Sequence, residues 1–149
     1  MTDILLCSDE VITNSIYNAP FVDQHNNFSG PTRDFSKVQI DPDKKARFFI
    51  GADPDRVIIG CRDQYGTLNP DKLIDRIKRC YESNPGEVMN FGQGGAGIGS
   101  FLIFDSCVSM YIAVDAGQST TICCAFPLGL SATKRSLVPK NLHVVVRRK

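Results

Sequence analysis

Apolar and polar positions alternate with helical periodicity at the start of the chain. Leu5, Ile12 and Ile16 recur on one side of residues 4–19 at the spacing of an α-helix. Pro20 follows, and a proline ends a helix because it lacks the N–H that the next turn needs. The pattern therefore predicts a helix over residues 4–19 with its apolar side facing a core.

The same segment carries a polar stripe. Glu10, Asn14 and Asn18 follow one another every fourth residue, so they lie along one side of the predicted helix, roughly opposite the apolar side. A carboxamide oxygen can bind a hard cation, and a carboxylate can accept a proton or orient a hydroxyl group. Taken alone, such a stripe is more often a solvated face.

Two pairs of apolar segments predict β-hairpins. Residues 46–51 and 56–62 flank the turn sequence at 53–55, and residues 111–114 and 119–128 flank a second turn with a glycine. Within the segment 56–62, residues 57–61 are almost entirely apolar, which is typical of a strand buried inside a sheet. A short strand at 38–40 and an edge strand at 142–146 are also predicted.

Two further helices are predicted between and after these strands. Asn69 and Pro70 form a helix start, with Asn69 as the N-cap and Pro70 in the first turn. Residues 100–110 are apolar on most sides, which predicts a buried helix. The long glycine-containing stretch 83–96 lies between the two helices and is a candidate lid.

Composition and charge restrict the function classes. The chain has 149 residues, so one domain is expected. Its formal net charge is only +1, so no strong electrostatic attraction to nucleic acid or to a membrane surface is expected. The N-terminus lacks the features of a secretion signal. The six cysteines form no C-x-x-C pair and lie mostly in apolar segments, which favours reduced core residues of a cytoplasmic protein.

A glycine cluster precedes the predicted buried helix. Within residues 91–104, five glycines run directly into Phe-Leu-Ile-Phe. Glycines let a ligand approach the backbone, and a helix start offers free N–H groups to a phosphate. A surface linker is the alternative. The context excludes a Walker loop, because no Gly-Lys-Ser/Thr occurs, and disfavours both a dinucleotide fingerprint and a protein-kinase glycine loop.

Asp63 ends the second predicted strand and is followed by a turn containing Gly66. A carboxylate at the end of a buried strand is well placed to meet a ligand, for instance by accepting a hydrogen bond from an exocyclic amine. A carboxylate that only stabilises the turn explains the same pattern.

The order of these segments resembles that of the GHKL ATPases, whose Bergerat fold occurs in gyrase, Hsp90 and histidine kinases. Residues 7–19 resemble the N-box of the anti-sigma-factor serine kinases, E-x-x-x-N-A-x-x-H-A. Residues 62–66 resemble the first glycine box, D-x-G-x-G, and residues 95–99 match the second, G-x-G-x-G. The resemblance covers residues 4–128.

The resemblance implies a two-layer α/β sandwich in residues 1–130, with a mostly antiparallel sheet covered on one face by helices, and a basic tail in residues 131–149. It also implies binding of ATP and Mg²⁺. Glu10 would be the catalytic base, Asn14 the metal ligand and Asp63 the acceptor of the adenine amine. The other nucleotide-binding residues that it implies are Asn18, Gly66, Gly95, Gly97, Ile98, Gly99 and Thr121, with Thr120 as the alternative to Thr121.

The sequence departs from the family pattern in three places. Tyr65 stands at the first glycine position of the first box, and Ser100 stands where leucine is usual. The family usually has a strand and a helix before the N-box, so we expect either a longer protein or pairing with another subunit, as in a homodimer.

Three functions remain open at this point. The spacing of Glu10 and Asn14 favours an ATP-dependent serine/threonine protein kinase of the anti-sigma-factor type, with a protein partner as substrate. A regulatory nucleotide-binding or interaction domain is the second, and the ATP-binding part of a histidine kinase is the third. No nucleic-acid or membrane partner is expected.

Overall fold

The computed structural model describes residues 2–22, 41–82 and 98–147. In chain order the elements are α1 (Thr2–Thr13), a π-helical segment (Asn14–Asn18), a 3-10 turn (Ala19–Phe21), β1 (Arg47–Ala52), β2 (Arg56–Asp63), α2 (Pro70–Glu82), α3 (Ile98–Ser106), β3 (Ser109–Asp115), β4 (Ser119–Pro127), α4 (Ala132–Ser136) and β5 (Asn141–Arg147). None of the helices in these ranges is long and apolar enough to cross a membrane.

The strands form one five-stranded mixed sheet in the order β1-β2-β4-β3-β5. All neighbouring pairs are antiparallel except β3 and β5, which are parallel. Both predicted hairpins are confirmed within a residue or two, and β2 lies inside the sheet, as its apolar sequence predicts. The expected α+β architecture with a mixed, mostly antiparallel sheet is confirmed.

The register assigns the residues of each strand to two faces. Asp63 pairs with Thr120, which is followed across the sheet by Val114, so these three residues share a face. We call it the covered face, because its side chains join those of α1, α2 and α3 in one core. The neighbouring row of Arg62 and Thr121 lies on the other face, which we call the open face.

The core lies between the covered face and the helices. Its largest fully buried members are Phe126, Ile59, Ile103, Met110 and Ile112. Cysteines also fill it, because a thiol packs like a small apolar group. All six cysteines are free, and four are buried: Cys7, Cys61, Cys107 and Cys124. The prediction of reduced core cysteines agrees with these positions.

The first helix differs from its prediction in the side that it buries. Leu5 is 64% exposed, whereas Cys7 and Val11 are fully buried. The side of α1 that packs in the core is therefore the one that carries Cys7 and Val11, and Leu5 is not part of the core. Pro20 also lies within the 3-10 turn that prolongs the helix, and it does not mark the end of helical structure.

The chain between α3 and β3 also corrects the prediction. The helix expected to reach residue 110 ends at Ser106, and Met110 lies in β3. An apolar run cannot by itself separate a buried helix from a buried strand.

The basic segment after residue 130 forms part of the sheet. Strand β5 pairs with β3 from Asn141 to Arg147, and Lys140 donates to the carbonyl groups of Asp105 and Cys107 at the end of α3. A cation at this position satisfies free carbonyl groups and opposes the negative end of the helix dipole. The segment predicted as a tail therefore supplies an edge strand and caps a helix. The strand predicted at 38–40 and the lid predicted at 83–96 lie outside the described residues.

Candidate functional site

Asp63 organises the turn at the end of β2. Its Oδ1 accepts hydrogen bonds from the backbone N–H groups of Tyr65 at 2.9 Å, Gly66 at 3.2 Å and Thr120 at 3.2 Å. The first two donors belong to the turn, and the third belongs to the neighbouring strand β4. The carboxyl group therefore stabilises the turn and attaches it to the sheet.

Burial has the largest effect on the pKa of this carboxyl group. Asp63 is only 5% exposed, and the loss of solvent raises its pKa above the ordinary value of 3.8. The three backbone donors and the nearby Thr120 hydroxyl lower the pKa, but they do not offset the desolvation. The result is a buried acid, surrounded by backbone N–H donors and one hydroxyl group, at the end of a central strand, and buried acids with a shifted pKa are common at functional sites.

Gly66 fits this turn for steric reasons. Its φ is +62°, and an added Cβ would overlap the carbonyl oxygen of Asp115 and lie 2.7 Å from the backbone nitrogen of Gln118. The Gly66 carbonyl oxygen accepts a hydrogen bond from Gly117 N–H at 3.2 Å. The turn after Asp63 is thus packed directly against the turn between β3 and β4.

The structure separates the two threonines that the sequence could not distinguish. Thr120 lies beside Asp63 on the covered face, and its buried hydroxyl makes no aligned hydrogen bond within the described residues. Thr121 lies on the open face instead. There it lines a shallow hollow of about 260 Å³ together with Arg62, Arg147 and neighbouring residues. The structure therefore brings Thr120, and not Thr121, beside Asp63.

Glu10 lies at the start of α3. An added Cβ on Gly99 would overlap the Oε2 atom at the flexible end of the Glu10 side chain, so the carboxylate lies directly against the Gly99 backbone. Gly99 is the second residue of α3, where free backbone N–H groups and the helix dipole favour a negative charge. The structure thus brings the predicted base to the first turn of α3.

Asn14 and Asn18 form a hydrogen-bonded pair. The Asn18 Nδ2 atom donates to the Asn14 Oδ1 atom, and both residues are half-buried. They begin and end the π-helical segment, in which each turn holds more residues than in an α-helix. Short π-helical insertions are frequent at functional sites. The predicted α-helical continuation of the stripe from Glu10 is therefore interrupted at Asn14.

The π-helical segment is attached to the strand that ends in Asp63. The Ser15 hydroxyl lies beside the Cys61 thiol, which belongs to β2. The Thr67 hydroxyl donates to the Ala19 carbonyl oxygen at 3.1 Å, which joins the helix end to the chain just beyond the Asp63 turn. One continuous helical segment thus touches α3 through Glu10 and the Asp63 turn through Ala19.

The remaining predicted residues divide between described and undescribed parts of the chain. Ile98 is the first residue of α3. Gly95 and Gly97, with the rest of the predicted lid, lie outside the described residues. Over residues 2–22, 41–82 and 98–147, no group of three or more His, Cys, Asp or Glu side chains could hold a metal ion. A metal ion at the candidate site would have to be held by carboxamide oxygens and by oxygens of a bound ligand.

A scan against protein-family models and searches of curated proteins and solved structures found no match for this chain. Inferences about its function therefore rest on the residues and their arrangement.

Proposed function

We propose that the chain is an ATP-binding domain of the GHKL type with a Bergerat fold, and that it acts as an Mg-ATP-dependent protein kinase of the anti-sigma-factor serine/threonine type. One observation carries the proposal. The segment resembling the N-box contacts both the helix after the second glycine box, through Glu10 and Gly99, and the chain after the first box, through Ala19 and Thr67. Three motifs that are distant in sequence are therefore neighbours.

The adenine would be recognised at the Asp63 turn. The Asp63 carboxyl group is the acceptor for the exocyclic amine, and the Thr120 hydroxyl beside it supplies a second polar group. Both are buried on the covered face, where a hydrogen bond discriminates strongly because an unpaired partner is costly. This role requires the deprotonated carboxylate.

The phosphates would lie at the start of α3. The helix N–H groups at Gly99 and the glycine-rich chain before it attract anions. Glu10 is adjacent and also negative, so the site fits a phosphate only with a cation present. The Asn14 carboxamide oxygen is the hard ligand that would hold Mg²⁺, and the ion would neutralise charge on the phosphates.

The chain's own residues would then position the acceptor. Glu10 is suited to orient a serine or threonine hydroxyl and to accept its proton as the oxygen attacks the terminal phosphoryl group. The bond from that phosphorus to the leaving ADP oxygen breaks. Catalysis of this kind depends mainly on positioning and electrostatic stabilisation.

A specific observation favours a second candidate, a regulatory nucleotide-binding domain without turnover. Tyr65 replaces a glycine of the first box, and the Asp63 Oδ1 atom already accepts three backbone hydrogen bonds, as a purely structural carboxylate would.

Phosphoryl transfer separates the two candidates. With ATP labelled at its terminal phosphate, the wild type is expected to label a protein acceptor, and the Glu10→Gln variant to lose labelling while it keeps its affinity for Mg-ATP. Asp9→Asn, a change in the neighbouring exposed carboxylate, is the matched control and should label normally. Nucleotide binding without labelling by the wild type would favour the regulatory domain. Loss of binding in Glu10→Gln would contradict the role of Glu10 as base.

A further inference from the structure

The open face of the sheet carries a stacked pair of aromatic rings. Tyr111 in β3 and His143 in β5 are register partners, and their ring centroids lie 4.6 Å apart with an angle of 7° between the ring planes. Tyr111 lies two residues from Ala113, the register partner of Thr121, which places both rings on the open face. Tyr111 is 42% exposed, and His143 is also exposed. The pair therefore presents an aromatic surface to solvent and takes no part in the core.

Arginines lie beside the aromatic pair on the same face. Arg47 and Arg62 are register partners, and their row lies two residues, or about 7 Å, along the strands from the row of Tyr111. Arg62 and Arg147 line the shallow hollow of about 260 Å³. With the other residues that the structure describes, none of these three arginines forms an ion pair. Their charge is therefore available to an anionic ligand.

The hollow between the arginines also contains hydrogen-bonding groups. Thr121, Ser119 and Asp115 belong to its lining. The Arg62 Nη2 atom donates to the Ser119 Oγ atom at 3.2 Å, which holds the guanidinium group at the hollow. The Thr121 hydroxyl can donate or accept a hydrogen bond, whereas the Asp115 carboxylate only accepts. A carboxylate repels a phosphate, so the arginines suit an anion and the Asp115 side of the hollow suits a neutral hydroxyl group.

The local charge of the open face differs from that of the whole chain. The net charge of +1 is an average, and it predicts no strong attraction of nucleic acid from a distance. On the open face the five strands carry one carboxylate, Asp115, beside the three arginines. A fourth arginine of this face, Arg56, is neutralised by its ion pair with Asp53. The local excess of positive charge favours an anionic ligand once it is in contact.

Aromatic rings next to arginines on a sheet are features that bind single-stranded nucleic acid. Bases stack on the rings, and the phosphates contact the cations. The 2′-hydroxyl group of RNA is a donor and an acceptor, so it matches the Asp115 carboxylate and the Thr121 hydroxyl, whereas DNA lacks this group. An acidic peptide would use the arginines but would leave the aromatic pair and the carboxylate without a role.

We propose that the open face binds single-stranded RNA. A base stacks on the Tyr111 and His143 pair, phosphates contact Arg62 and Arg147, and a 2′-hydroxyl group occupies the hollow beside Asp115. This site is separate from the proposed nucleotide site, because Asp63 lies on the covered face. Binding of RNA therefore does not depend on binding of ATP, and the failure of one proposal leaves the other standing.

Fluorescence anisotropy of a labelled oligouridylate of about 12 nucleotides tests the stacking. The full chain is expected to bind it saturably. Tyr111→Leu keeps an apolar side chain but removes the aromatic ring, so it should weaken binding at least about fivefold. Tyr111→Phe is the matched control, because it keeps the ring, and it should bind as the wild type does. A wild type that does not bind, or equal affinities of the two variants, would overturn the proposal.

The salt dependence of the same binding tests the phosphate contacts. Arg62→Gln should reduce the slope of log affinity against log salt concentration by about 0.7, the value for one phosphate contact of a single strand. Arg56→Gln is the matched control, since Arg56 lies on the same face but is paired with Asp53, and it should leave the slope unchanged. Equal slopes for the two variants would contradict the phosphate contact at Arg62.

Competition tests the identity of the ligand. Unlabelled single-stranded RNA is expected to displace the labelled probe at lower concentration than DNA of the matching sequence, because DNA lacks the 2′-hydroxyl group. Polyglutamate at the same concentration of charge should displace it less well than either, because it has no base to stack. Equal competition by DNA, or by polyglutamate, would overturn RNA as the ligand of the open face.

Discussion

At the scale of single residues, Asp63 combines two opposing influences on one carboxyl group. Burial raises its pKa, while three backbone donors and the Thr120 hydroxyl stabilise the charged form. Since desolvation is the largest influence, the folded protein binds a proton at Asp63 more tightly than the unfolded chain does. Keeping this carboxylate charged at neutral pH therefore costs stability.

The pH dependence of stability follows from this shift. A raised pKa gives a stabilising contribution that is complete below 3.8 and is lost as the pH rises through the folded pKa. The free energy of unfolding of the wild type, measured relative to Asp63→Asn, should therefore decrease between pH 3.8 and neutral pH. Urea denaturation at a series of pH values measures it. An increase over the same range would mean that the backbone donors outweigh burial.

The neighbouring threonines provide a matched pair for nucleotide binding. Thr120→Val removes the hydroxyl beside Asp63 and should weaken Mg-ATP binding about tenfold. A loss of this size is typical when one buried hydrogen bond to a charged group is removed. Thr121→Val makes the same chemical change on the open face and should leave the affinity unchanged. Equal losses in a calorimetric comparison would exclude the Asp63 turn as the adenine site.

At the scale of secondary structure, local signals explain the elements that the sequence predicted well. Asn69 is the N-cap of α2, as expected, because its Oδ1 atom accepts a hydrogen bond from the Lys72 N–H at 3.1 Å. Both hairpins follow from turn residues between apolar strands. The π-helical segment and the buried position of Cys7 were not predictable, because they depend on how α1 packs against α3 and β2.

The Asp63 turn can be tested through its glycine. Gly66→Ala should lower the free energy of unfolding by about 2–4 kcal/mol, because it combines a left-handed backbone with overlap against Asp115. Gly117→Ala is the control, since it has φ +71° but nothing within 4 Å of the added Cβ, and about 1 kcal/mol is expected. Chemical denaturation measures both. Equal losses would show that backbone strain alone accounts for the effect.

At the scale of the whole molecule, the candidate site depends on contacts between distant parts of the sequence. Motif order along the chain predicted that Glu10, Asp63 and the glycine-rich helix start would belong to one site. Glu10 lies against Gly99, and the same helical segment reaches the chain after Asp63 through Ala19 and Thr67. Strand alternation could have selected Thr120 over Thr121 once the pairing of β2 with β4 was known, but the register itself is a tertiary property.

Calorimetric titration of the full chain with Mg-ATP tests the central claim most directly. We expect saturable binding of about one nucleotide per chain, and no binding by a variant that carries both Asp63→Asn and Thr120→Val. A wild type that produces no heat of binding and no thermal shift at millimolar Mg-ATP would contradict an ATP-binding domain of the GHKL type.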